Sequence, residues 1–537
     1  MNCTSTRVPY RQTNAFSKIA LDYVDQAAAL KPFFSNTPSL SGMQKSMESR
    51  KKIPTDRDLL VKELRKQYEG INATDQTRKN IDSLLSENTF TITTAHQNNI
   101  FTGPLFFIYK IVHVIRLADE MNQLNQGSHI VPVFYMGSED ADLDELNHIH
   151  LGGEKLVWDT AQTGAVGRMK VDKALIKLIT AMEGQLSGLP NGKELVLLLR
   201  EYYQEAVLIQ DATFKLVNQL FGEYGLVVLL PDNPRLKKQA LNIFQDDLLN
   251  QSASRLVEES ANKLEASGYK VQANPREINL FYLEEQSRNR IEKVNTETSD
   301  TEWLVINSEK RFTKEELRKE LEEHPERFSP NVILRGMYQE IILPNIAFIG
   351  GGGEIAYWLQ LRSLFDHYQV PFPVLILRNS FLLVESKWRE AISRLGFQVD
   401  DFFLPEQELI NRWVLRESKV ETRLNGSLTE IEKLYDSFTR QASAVDHSLE
   451  KHVQALRMKT VQRLQELEKK MLRAEKRKFT DQQRQIHKIK TSLFPADGLQ
   501  ERYENFSYYY ALWGNEFIKT IVKNSPALEQ EFTILNY

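Results

Sequence analysis

The strongest constraint on the fold is a pattern that occurs twice: an apolar strand, a helix, and a second apolar strand. The first copy occupies 89–137, with strands TFTITTA and HIVPVFYMG on either side of the helix LFFIYKIVHVIRLADEMNQL. The second copy occupies 344–380, with strands PNIAFIG and PFPVLILRNS on either side of GGGEIAYWLQLRSLFDHYQV. Strand–helix–strand units build parallel sheets, and nearly continuous apolar strands are typical of a sheet that is buried on both faces.

The two copies predict an α/β fold in which a split, Rossmann-like parallel sheet core is followed by a long α-helical coiled coil. A chain of 537 residues is too long for one hydrophobic core, so several structural units are expected. We assign a first half of the core with N-terminal helices to 1–163, a connecting insertion to 164–329, a second half of the core to 330–405, a coiled-coil arm to 406–490, and a C-terminal segment that docks on the core to 491–537.

The insertion carries secondary structure of its own. Its apolar pattern predicts one helix over 191–224, a short strand in GLVVLLP at 225–231 and a strand-like segment over 269–285. A charged helical segment, KRFTKEELRKELEEHPERF, then leads back to the core.

The arm shows a different pattern. From about residue 427 apolar residues recur at three-four spacing, and no proline interrupts 413–494. Such spacing over several heptads is typical of a coiled coil, although one long amphipathic helix packed on the body is the alternative. Because the apolar stripe has no obvious partner within the chain, we expect a homodimer assembled through about 420–490.

Charge and composition exclude several classes of function. A net charge of −4 gives no field that would attract nucleic acid or an anionic membrane, so neither is an expected partner. The N-terminus lacks the apolar stretch of a signal peptide and no apolar run reaches about 18 residues, so we expect a cytoplasmic protein. The single cysteine, Cys3, excludes intrachain disulfides and has no evident catalytic base.

Three polar segments follow strands of the predicted sheet, where ligands of doubly wound folds bind. The first is HQNNIFTGP, which carries more hydrogen-bonding side chains than a capped turn requires. Its candidate ligand-binding residues are His96, Gln97, Asn98, Asn99, Thr102 and Gly103.

The second segment, GSEDADLDELNHIH, is rich in acids. A helix start favours acidic residues, which explains two or three of them but scarcely five. Clustered carboxylates can orient an amine, hold Mg²⁺ beside phosphates or act as a general base. The candidates are Glu139, Asp140, Asp142, Asp144, Glu145, Asn147, His148 and His150.

The third segment, IGGGGEIAYW, has four consecutive glycines, Gly350 to Gly353, that let a ligand approach the backbone. It is neither a GxGxxG fingerprint nor a P-loop. Glu354, Tyr357 and Trp358 follow on the predicted helix. Upstream, Arg335 can pair bidentately with a ligand carboxylate or phosphate, or it can form a structural salt bridge.

Four motifs together resemble the BshC family, the cysteine ligases of bacillithiol biosynthesis. They are FTGPLFFIYKI, PVFYMGSEDADLDELNHI, PERFSPNVILRGMYQEIILPNIAFIGGGGEIAYW and LFPADGLQERYENF, and the resemblance covers essentially the whole chain. One departure is visible: where the family pattern has Gly-Gln-Gln before the TGP turn, this chain has Ala95-His96-Gln97. Histidine brings a titratable group that glutamine lacks.

The resemblance implies a fold like that of class I aminoacyl-tRNA synthetases and a reaction that adds L-cysteine to glucosaminyl-malate. It carries binding roles to Gln97, Asn98, Thr102, Gly103, Asn147, Gly351, Gly352, Gly353, Glu354, Tyr357 and Trp358, with His96 and Arg335 as further candidates, and catalytic roles to Glu139, Asp140, Asp144 and His148. The proton of the attacking amine would go to His148 or to an acid of its loop.

ATP is inferred from the reaction, because a free carboxylate forms no amide at neutral pH and an acyl-adenylate would. Mg²⁺ would accompany its phosphates. The chain has neither a HIGH tetrapeptide nor a KMSKS-like loop, and Lys110, Arg311 and Lys314 are the cations that could replace them.

Two other functions remain open at this point. One is a nucleotide-sugar transferase on a split Rossmann core, which would need no ATP. The other is a non-enzymatic coiled-coil scaffold, in which the acidic loop would tolerate alanine. Product analysis for AMP or ADP separates the ligase from the transferase.

One cysteine and dispersed histidines cannot build a tetrahedral zinc site, so we predict no structural zinc and no other tightly held metal. Metal analysis of the purified protein should find well under one equivalent of zinc. A stoichiometric zinc would mean that the His and carboxylate loop is a metal site.

Overall fold

The structure, a computed structural model, describes residues 3–124, 127–295, 301–420 and 423–537. The chain divides into two compact units. The first comprises Met1–Arg11, Ala15–Leu382 and Leu499–Leu535, and the second comprises Gln12–Asn14, Leu383–Gly498 and Asn536–Tyr537. The boundary at Leu382 and Leu383 therefore lies directly after the second βαβ unit, whereas the predicted end of the core is residue 405.

The strands have the following bounds: β1 Thr4–Pro9, β2 Thr89–Gln97, β3 His129–Gly137, β4 His148–Leu151, β5 Glu154–Val157, β6 Val227–Leu229, β7 Leu280–Leu283, β8 Arg288–Asn295, β9 Thr301–Val305, β10 Arg311–Phe312, β11 Phe328–Pro330, β12 Asn345–Gly350, β13 Val374–Leu377, β14 Phe381–Val384 and β15 Glu531–Asn536.

The helices have the following bounds: α1 Lys18–Val24, α2 Leu40–Lys51, α3 Arg57–Gln67, α4 Asp75–Ser83, α5 Phe106–Leu124, α6 Leu143–Leu146, α7 Lys173–Leu186, α8 Gly192–Tyr202, α9 Ile209–Phe221, α10 Pro234–Lys237, α11 Leu241–Leu249, α12 Ser252–Ala266, α13 Lys314–Glu323, α14 Val332–Ile342, α15 Gly352–Gln360, α16 Arg362–Tyr368, α17 Ser386–Arg394, α18 Glu406–Glu417, α19 Asn425–Val445, α20 Leu449–Lys476, α21 Thr480–Leu493, α22 Ser507–Trp513 and α23 Asn515–Asn524.

The core of the first unit is a parallel sheet with strand order β13-β12-β2-β3-β6. The three pairings among β13, β12, β2 and β3 confirm the predicted split Rossmann-like sheet, because β2 and β3 precede the insertion and β12 and β13 follow it. Strand β6, however, was predicted as part of the insertion, and it pairs with β3 as the edge of the core sheet. Its apolar residues Val227 to Leu229 are all buried, as a place in the core sheet requires.

A buried polar network fixes β12 against β2. The hydroxyls of Thr91 and Thr93 donate to Oδ1 of Asn345 at 3.1 and 2.8 Å. The Asn345 amide donates to Glu340 at 2.7 Å, and Glu340 forms an ion pair with Arg50 at 2.6 Å. Buried hydroxyls and charges are tolerated only when they are paired, so this network favours one register of the two strands.

The insertion differs from the prediction in two places. The expected single helix over 191–224 is two helices, α8 and α9, because the linker between them pairs with 169–171 through Val171 N–H to Val207 O and Ile209 N–H to Met169 O. Of the strand-like segment over 269–285, only β7 is a strand. It joins an antiparallel sheet of order β10-β9-β8-β7-β11.

The coiled coil of the second unit is a helical hairpin. The helix breaks after α19, where the Asp446 side chain accepts from the Ser448 amide at 2.8 Å and competes with helical hydrogen bonding. The Tyr435 hydroxyl then lies 2.7 Å from that of Thr460, so α19 and α20 run antiparallel. The expectation that the apolar stripe has no partner within the chain was wrong.

No helix in the described ranges is both long enough and apolar enough to cross a membrane.

Asp247 generates a prediction about stability and pH. Its buried carboxylate accepts from the backbone amide of Asn279 at 2.6 Å and from the Asn279 side chain at 3.0 Å. Burial raises the Asp247 pKa to about 7, and the hydrogen bonds from Asn279 offset this only in part.

A pKa that is raised in the folded state gives a contribution to stability that is present at low pH and lost as the pH rises to the folded-state value. The free energy of unfolding of the wild type, minus that of Asp247→Asn, should therefore fall between about pH 4, the unfolded-state pKa of an aspartate, and about pH 7. Denaturant titrations across that range measure the difference. A difference that does not change with pH would show that Asp247 is ionised in the folded protein.

Candidate active site

A cavity of about 500 Å³ lies in the first unit where strands β2, β3 and β12 end. We call it the central pocket. Its wall includes residues from all three polar segments, namely Ala95 to Gln97, then Gly137 and Asp140, and then Gly351 to Glu354 with Tyr357. The expectation that distant segments meet at one edge of the sheet is therefore confirmed for these residues.

Glu354 caps the start of the helix α15, which follows directly on the glycine turn. The Glu354 carboxylate accepts from the Gly351 amide at 2.8 Å and forms an ion pair with Lys110 at 2.5 Å. The Lys110 ammonium also donates to the Ala95 carbonyl at 2.9 Å. Burial lowers the Lys110 pKa, and Glu354 opposes that shift. Three cations were suggested as replacements for the synthetase signatures. Of these, Lys110 lines the pocket, whereas Arg311 and Lys314 do not.

The glycines of this turn differ in whether a side chain would fit at their positions. A Cβ on Gly350 would lie 2.8 Å from the Phe348 ring and 2.9 Å from Glu354, so no side chain fits there. A Cβ on Gly351 or Gly353 would have no neighbour closer than 3.5 Å. Their lack of side chains therefore leaves the backbone open on the pocket side.

Asp140 is held by two arginines. Arg335 forms a bidentate pair with it at 2.8 and 2.7 Å, and Nη1 of Arg288 lies 3.6 Å away. Burial alone would raise the Asp140 pKa, but the two guanidinium groups outweigh burial and lower it. Asp140 is therefore a fixed anion at neutral pH, which suits binding a cation better than accepting a proton.

Glu139, the neighbouring acid, faces a different network. It pairs with Lys237 at 2.5 Å, Lys237 also pairs with Asp232 at 3.1 Å, and Asp232 pairs with Arg168 at 2.7 Å. Burial raises the Glu139 pKa, and Lys237 opposes the shift. Glu139 is not among the residues that line the central pocket; it joins the end of β3 to the insertion.

Three arginines of the pocket were not predicted from the sequence: Arg288, Arg378 and Arg502. Arg378 pairs with the fully buried Glu501 at 2.7 Å and lies over the Phe106 ring at 5.1 Å. Arg502 is exposed and forms no ion pair with any residue that the structure describes. Arg378 directly follows the buried strand β13, so it could have been found, like the other segments, as a polar residue after a strand of the sheet. Arg502 comes from the C-terminal segment, and no local pattern indicates that this segment returns to the pocket.

The HQNNIFTGP turn is divided between the pocket and the interior. His96 and Gln97 line the pocket, whereas Asn98 and Thr102 are buried, and their side-chain polar atoms have no partner among the described residues. Thr102 and Gly103 have φ values of 67° and 65°, which a glycine adopts easily and a threonine does not. The Asn505 amide donates to the Gly103 carbonyl at 2.5 Å and holds this turn.

Several more predicted site residues lie outside the central pocket. Asp144 is exposed on α6, and Asn147 and His148 lead into the β4–β5 hairpin, because the chain turns away from the pocket after Asp140. The His148 ring contacts His150 instead, at 5.5 Å between centroids. Trp358 packs in the core on Phe348, in space that the absence of a side chain at residue 336 leaves free.

The described residues that line the pocket carry more positive than negative charge. The cations are Lys110, Arg288, Arg335, Arg378 and Arg502, and the carboxylates are Asp140 and Glu354. No three His, Cys, Asp or Glu side chains come together as metal ligands within the described residues. The pocket is suited to a ligand that carries acidic groups together with a cationic group.

Comparison with known proteins agrees with this architecture. Residues 1–379 match a family described as "Bacillithiol biosynthesis BshC, N-terminal Rossmann-like domain", and residues 381–537 match "Bacillithiol biosynthesis BshC, C-terminal coiled-coil domain". A protein of Flavobacterium psychrophilum named "Putative cysteine ligase BshC" is 39% identical over 534 residues, which cover 99% of each chain. One of the same name from Christiangramia forsetii is 37% identical and covers 100% of this chain and 99% of its own.

The fold and the matches define a protein with a Rossmann-like N-terminal domain and a C-terminal coiled-coil domain. The chain belongs to the BshC family of bacillithiol biosynthesis, which the four motifs had indicated. The prediction of a ligase agrees with the names of these relatives.

The contrast between two acids of the same loop gives a prediction. Asp140→Asn should lower the free energy of unfolding by about 3 kcal/mol, because it leaves two buried guanidinium groups without a full counter-charge. Asp144→Asn, an exposed change of the same kind, should alter stability by less than about 0.5 kcal/mol. Thermal and denaturant unfolding of both variants test this. Equal losses would show that Asp144 has a partner that the structure does not contain.

Proposed function

We propose that this chain is a cysteine ligase that forms an amide between the carboxyl group of L-cysteine and the amine of glucosaminyl-malate. The observation that carries the proposal is the charge pattern of the central pocket. Glucosaminyl-malate has two malate carboxylates and one ammonium, and the pocket offers five cations and two carboxylates.

The two carboxylates of the pocket are suited to the ammonium group. Both are acceptors held in place by their own partners, Asp140 by Arg335 and Glu354 by Lys110. The cations are suited to the malate. Arg502 is the first candidate, because it needs to break no ion pair to bind a carboxylate.

ATP use belongs to the same proposal, because the oxide leaving group of a free carboxylate must be replaced by a better one, either AMP or inorganic phosphate. The open backbone at Gly353 and the cations Lys110 and Arg378 would hold phosphate oxygens. Mg²⁺ would then enter with the phosphates and not in a site built only from protein ligands.

The direct test incubates purified protein with L-cysteine, glucosaminyl-malate and ATP, and measures bacillithiol, AMP and ADP. Bacillithiol together with one equivalent of AMP supports activation through an adenylate, and ADP supports an acyl phosphate. Bacillithiol without either nucleotide would overturn ATP use, and no amide product under any condition would overturn the ligase proposal.

Arg502→Ala should raise the KM for glucosaminyl-malate by about tenfold or more, because a charge-assisted contact contributes about 1.5–3 kcal/mol to binding. The kcat at saturation should change much less. Arg318→Ala, which removes an exposed arginine on α13, is the matched control and should leave both values unchanged. An unchanged KM for Arg502→Ala would place the malate elsewhere.

Homodimerisation also remains a proposal. The helical hairpin leaves large apolar side chains exposed on both helices, including Phe438, Val445, Leu456 and Met458. A second copy of the same hairpin would cover them. Sedimentation should give about twice the chain mass of 62.2 kDa. A monomer at micromolar concentration would contradict the proposal.

A further inference from the structure

Asp247 on α11 is a fully buried carboxyl group, and no cation pairs with it among the described residues. Its two oxygens both contact Asn279 instead: Oδ2 accepts from the backbone amide at 2.6 Å and Oδ1 from the side-chain amide at 3.0 Å. A carboxylate can accept on both oxygens, whereas an asparagine at this position would turn an NH2 group toward one of the two donors. A buried carboxyl group without a counter-charge is costly, so its position needs a reason beyond packing.

The side-chain amide of Asn279 is fixed in direction by backbone groups. Its Nδ2 atom donates to the Arg276 carbonyl at 2.9 Å as well as to Asp247, and its Oδ1 atom accepts from the Arg276 amide at 3.2 Å. A backbone carbonyl only accepts and a backbone N–H only donates, so Arg276 determines which end of the amide faces Asp247. The Oδ1 atom also accepts from Nδ2 of Asn331 at 3.0 Å. Asn279 therefore connects the buried carboxyl group to Asn331.

Asn331 extends this network to α14, because it is the N-cap residue of that helix. Its Oδ1 atom accepts from the Ile333 amide at 2.8 Å, and its own backbone amide donates to the Asn279 carbonyl at 2.9 Å. Since Oδ1 faces the helix, Nδ2 points to Asn279. The side chains of Asp247, Asn279 and Asn331 thus form a series in which each amide is oriented by its neighbours. We call this series the amide relay.

The amide relay ends in the wall of the central pocket. Asn331 lines that pocket, and so does Arg335, whose backbone amide donates to the Asn331 carbonyl at 2.9 Å. The residues just before Asn331 hold a second arginine of the wall, because Arg288 donates to the Ser329 hydroxyl at 3.0 Å and to the carbonyl of the next residue at 3.1 Å. Arg335 and Arg288 are the two cations that hold Asp140. One short segment at the start of α14 therefore supports both cations.

We propose that Asp247 is a positioning residue of the central pocket, which acts through the amide relay on the start of α14 and so on the two arginines that hold Asp140. Asp247 does not line the pocket, so it acts on a ligand only through other residues. The inference rests on the proposed function in one respect: the pocket that the relay orders is the one in which we place glucosaminyl-malate. A displaced helix start would change the geometry that the ammonium group of this substrate meets.

Asp247→Asn is the informative substitution, because it keeps the shape of the side chain. Oδ2 faces a backbone donor, so the new NH2 group takes the place of Oδ1 and meets the NH2 group of Asn279. A reversed Asn279 amide would accept from it, but that amide would lose both contacts with Arg276 and turn its NH2 group toward the NH2 group of Asn331. Both arrangements leave two donors facing each other, so the relay no longer fixes the cap of α14.

Asp246→Asn is the matched control. It makes the same chemical change one residue earlier on α11, where the carboxylate accepts from Tyr368 and Asn250 and takes no part in the relay. Asn279→Ala, which interrupts the relay at a buried residue outside the pocket wall, replaces Asp247→Asn in each experiment if that variant does not fold.

Hydrogen exchange followed by mass spectrometry measures the first step of the proposal and needs no ligand. Exchange of the backbone amides at the start of α14 should be about fivefold faster or more in Asp247→Asn than in the wild type, which is the effect of losing an N-cap hydrogen bond. Asp246→Asn should exchange like the wild type. Equal exchange at α14 in all three proteins would overturn the inference.

A double-mutant cycle with Asp140→Asn measures the second step. Substitutions at sites that share no contact normally have additive effects on stability. If the relay positions the arginines, Asp247→Asn already lets them turn away from residue 140. The loss of stability caused by Asp140→Asn should then be about half as large in the Asp247→Asn background as in the wild type, and undiminished in the Asp246→Asn background. Equal losses in the three backgrounds would mean that Asp247 has no effect on the pocket charges, and the inference would be wrong.

The kinetic constants test the same role in the active enzyme. Asp247→Asn should raise the KM for glucosaminyl-malate about threefold or more and leave kcat within about twofold, because no reacting group is removed. Asp246→Asn should leave both values unchanged. An unchanged KM in Asp247→Asn would contradict the role in the pocket. A non-additive cycle in a wild type without ligase activity would reject the proposed reaction and leave Asp247 as a positioning residue of the pocket.

Discussion

Everything at the pocket depends on the parallel pairing of β2 with β3 on one side and β12 on the other. Parallel strands end at the same edge of a sheet, so residues that are hundreds of positions apart in sequence come together there. The hydrogen bonds from the β2 threonines to Asn345 hold the second half of the core in register with the first. A shift of one residue would move Gly351 relative to His96 and turn the side chains of β12 to the opposite face of the sheet.

The charges of the pocket are positioned by other charges. Arg335 fixes Asp140, Lys110 fixes Glu354 and Glu501 fixes Arg378, and each pair is largely buried. Such pairs add little net stability, because desolvation opposes the attraction between the partners. Their effect is to hold charged groups in fixed directions, which suits the doubly charged, amine-bearing substrate that we propose.

The sequence predicts the parts of the structure that follow from local pattern. The apolar strands and the polar segments after them identify His96, Gln97, Asp140 and the glycine turn, because a strand end is readable from the sequence alone. The direction of the chain after Asp140 is not readable in this way, so Asp144, Asn147 and His148 were assigned to the same site. Arg502 and Glu501 depend on the return of the C-terminal segment, a long-range contact without a local signal. The hairpin in the coiled coil depends on Asp446, at which the helix α19 ends. The apolar spacing of the sequence does not show that the chain reverses there.

The edge strand β6 has a consequence for the insertion as a whole. It covers β3, and the Lys237 network ties the same region to the end of that strand. A chain from which the insertion had been excised would expose the hydrogen-bonding edge of β3 at Val133 to Tyr135, an apolar stretch without the charges or prolines that usually protect an edge from pairing with other molecules. The insertion is thus a structural part of the core, and a recombinant core that lacked it would be prone to aggregate through β3.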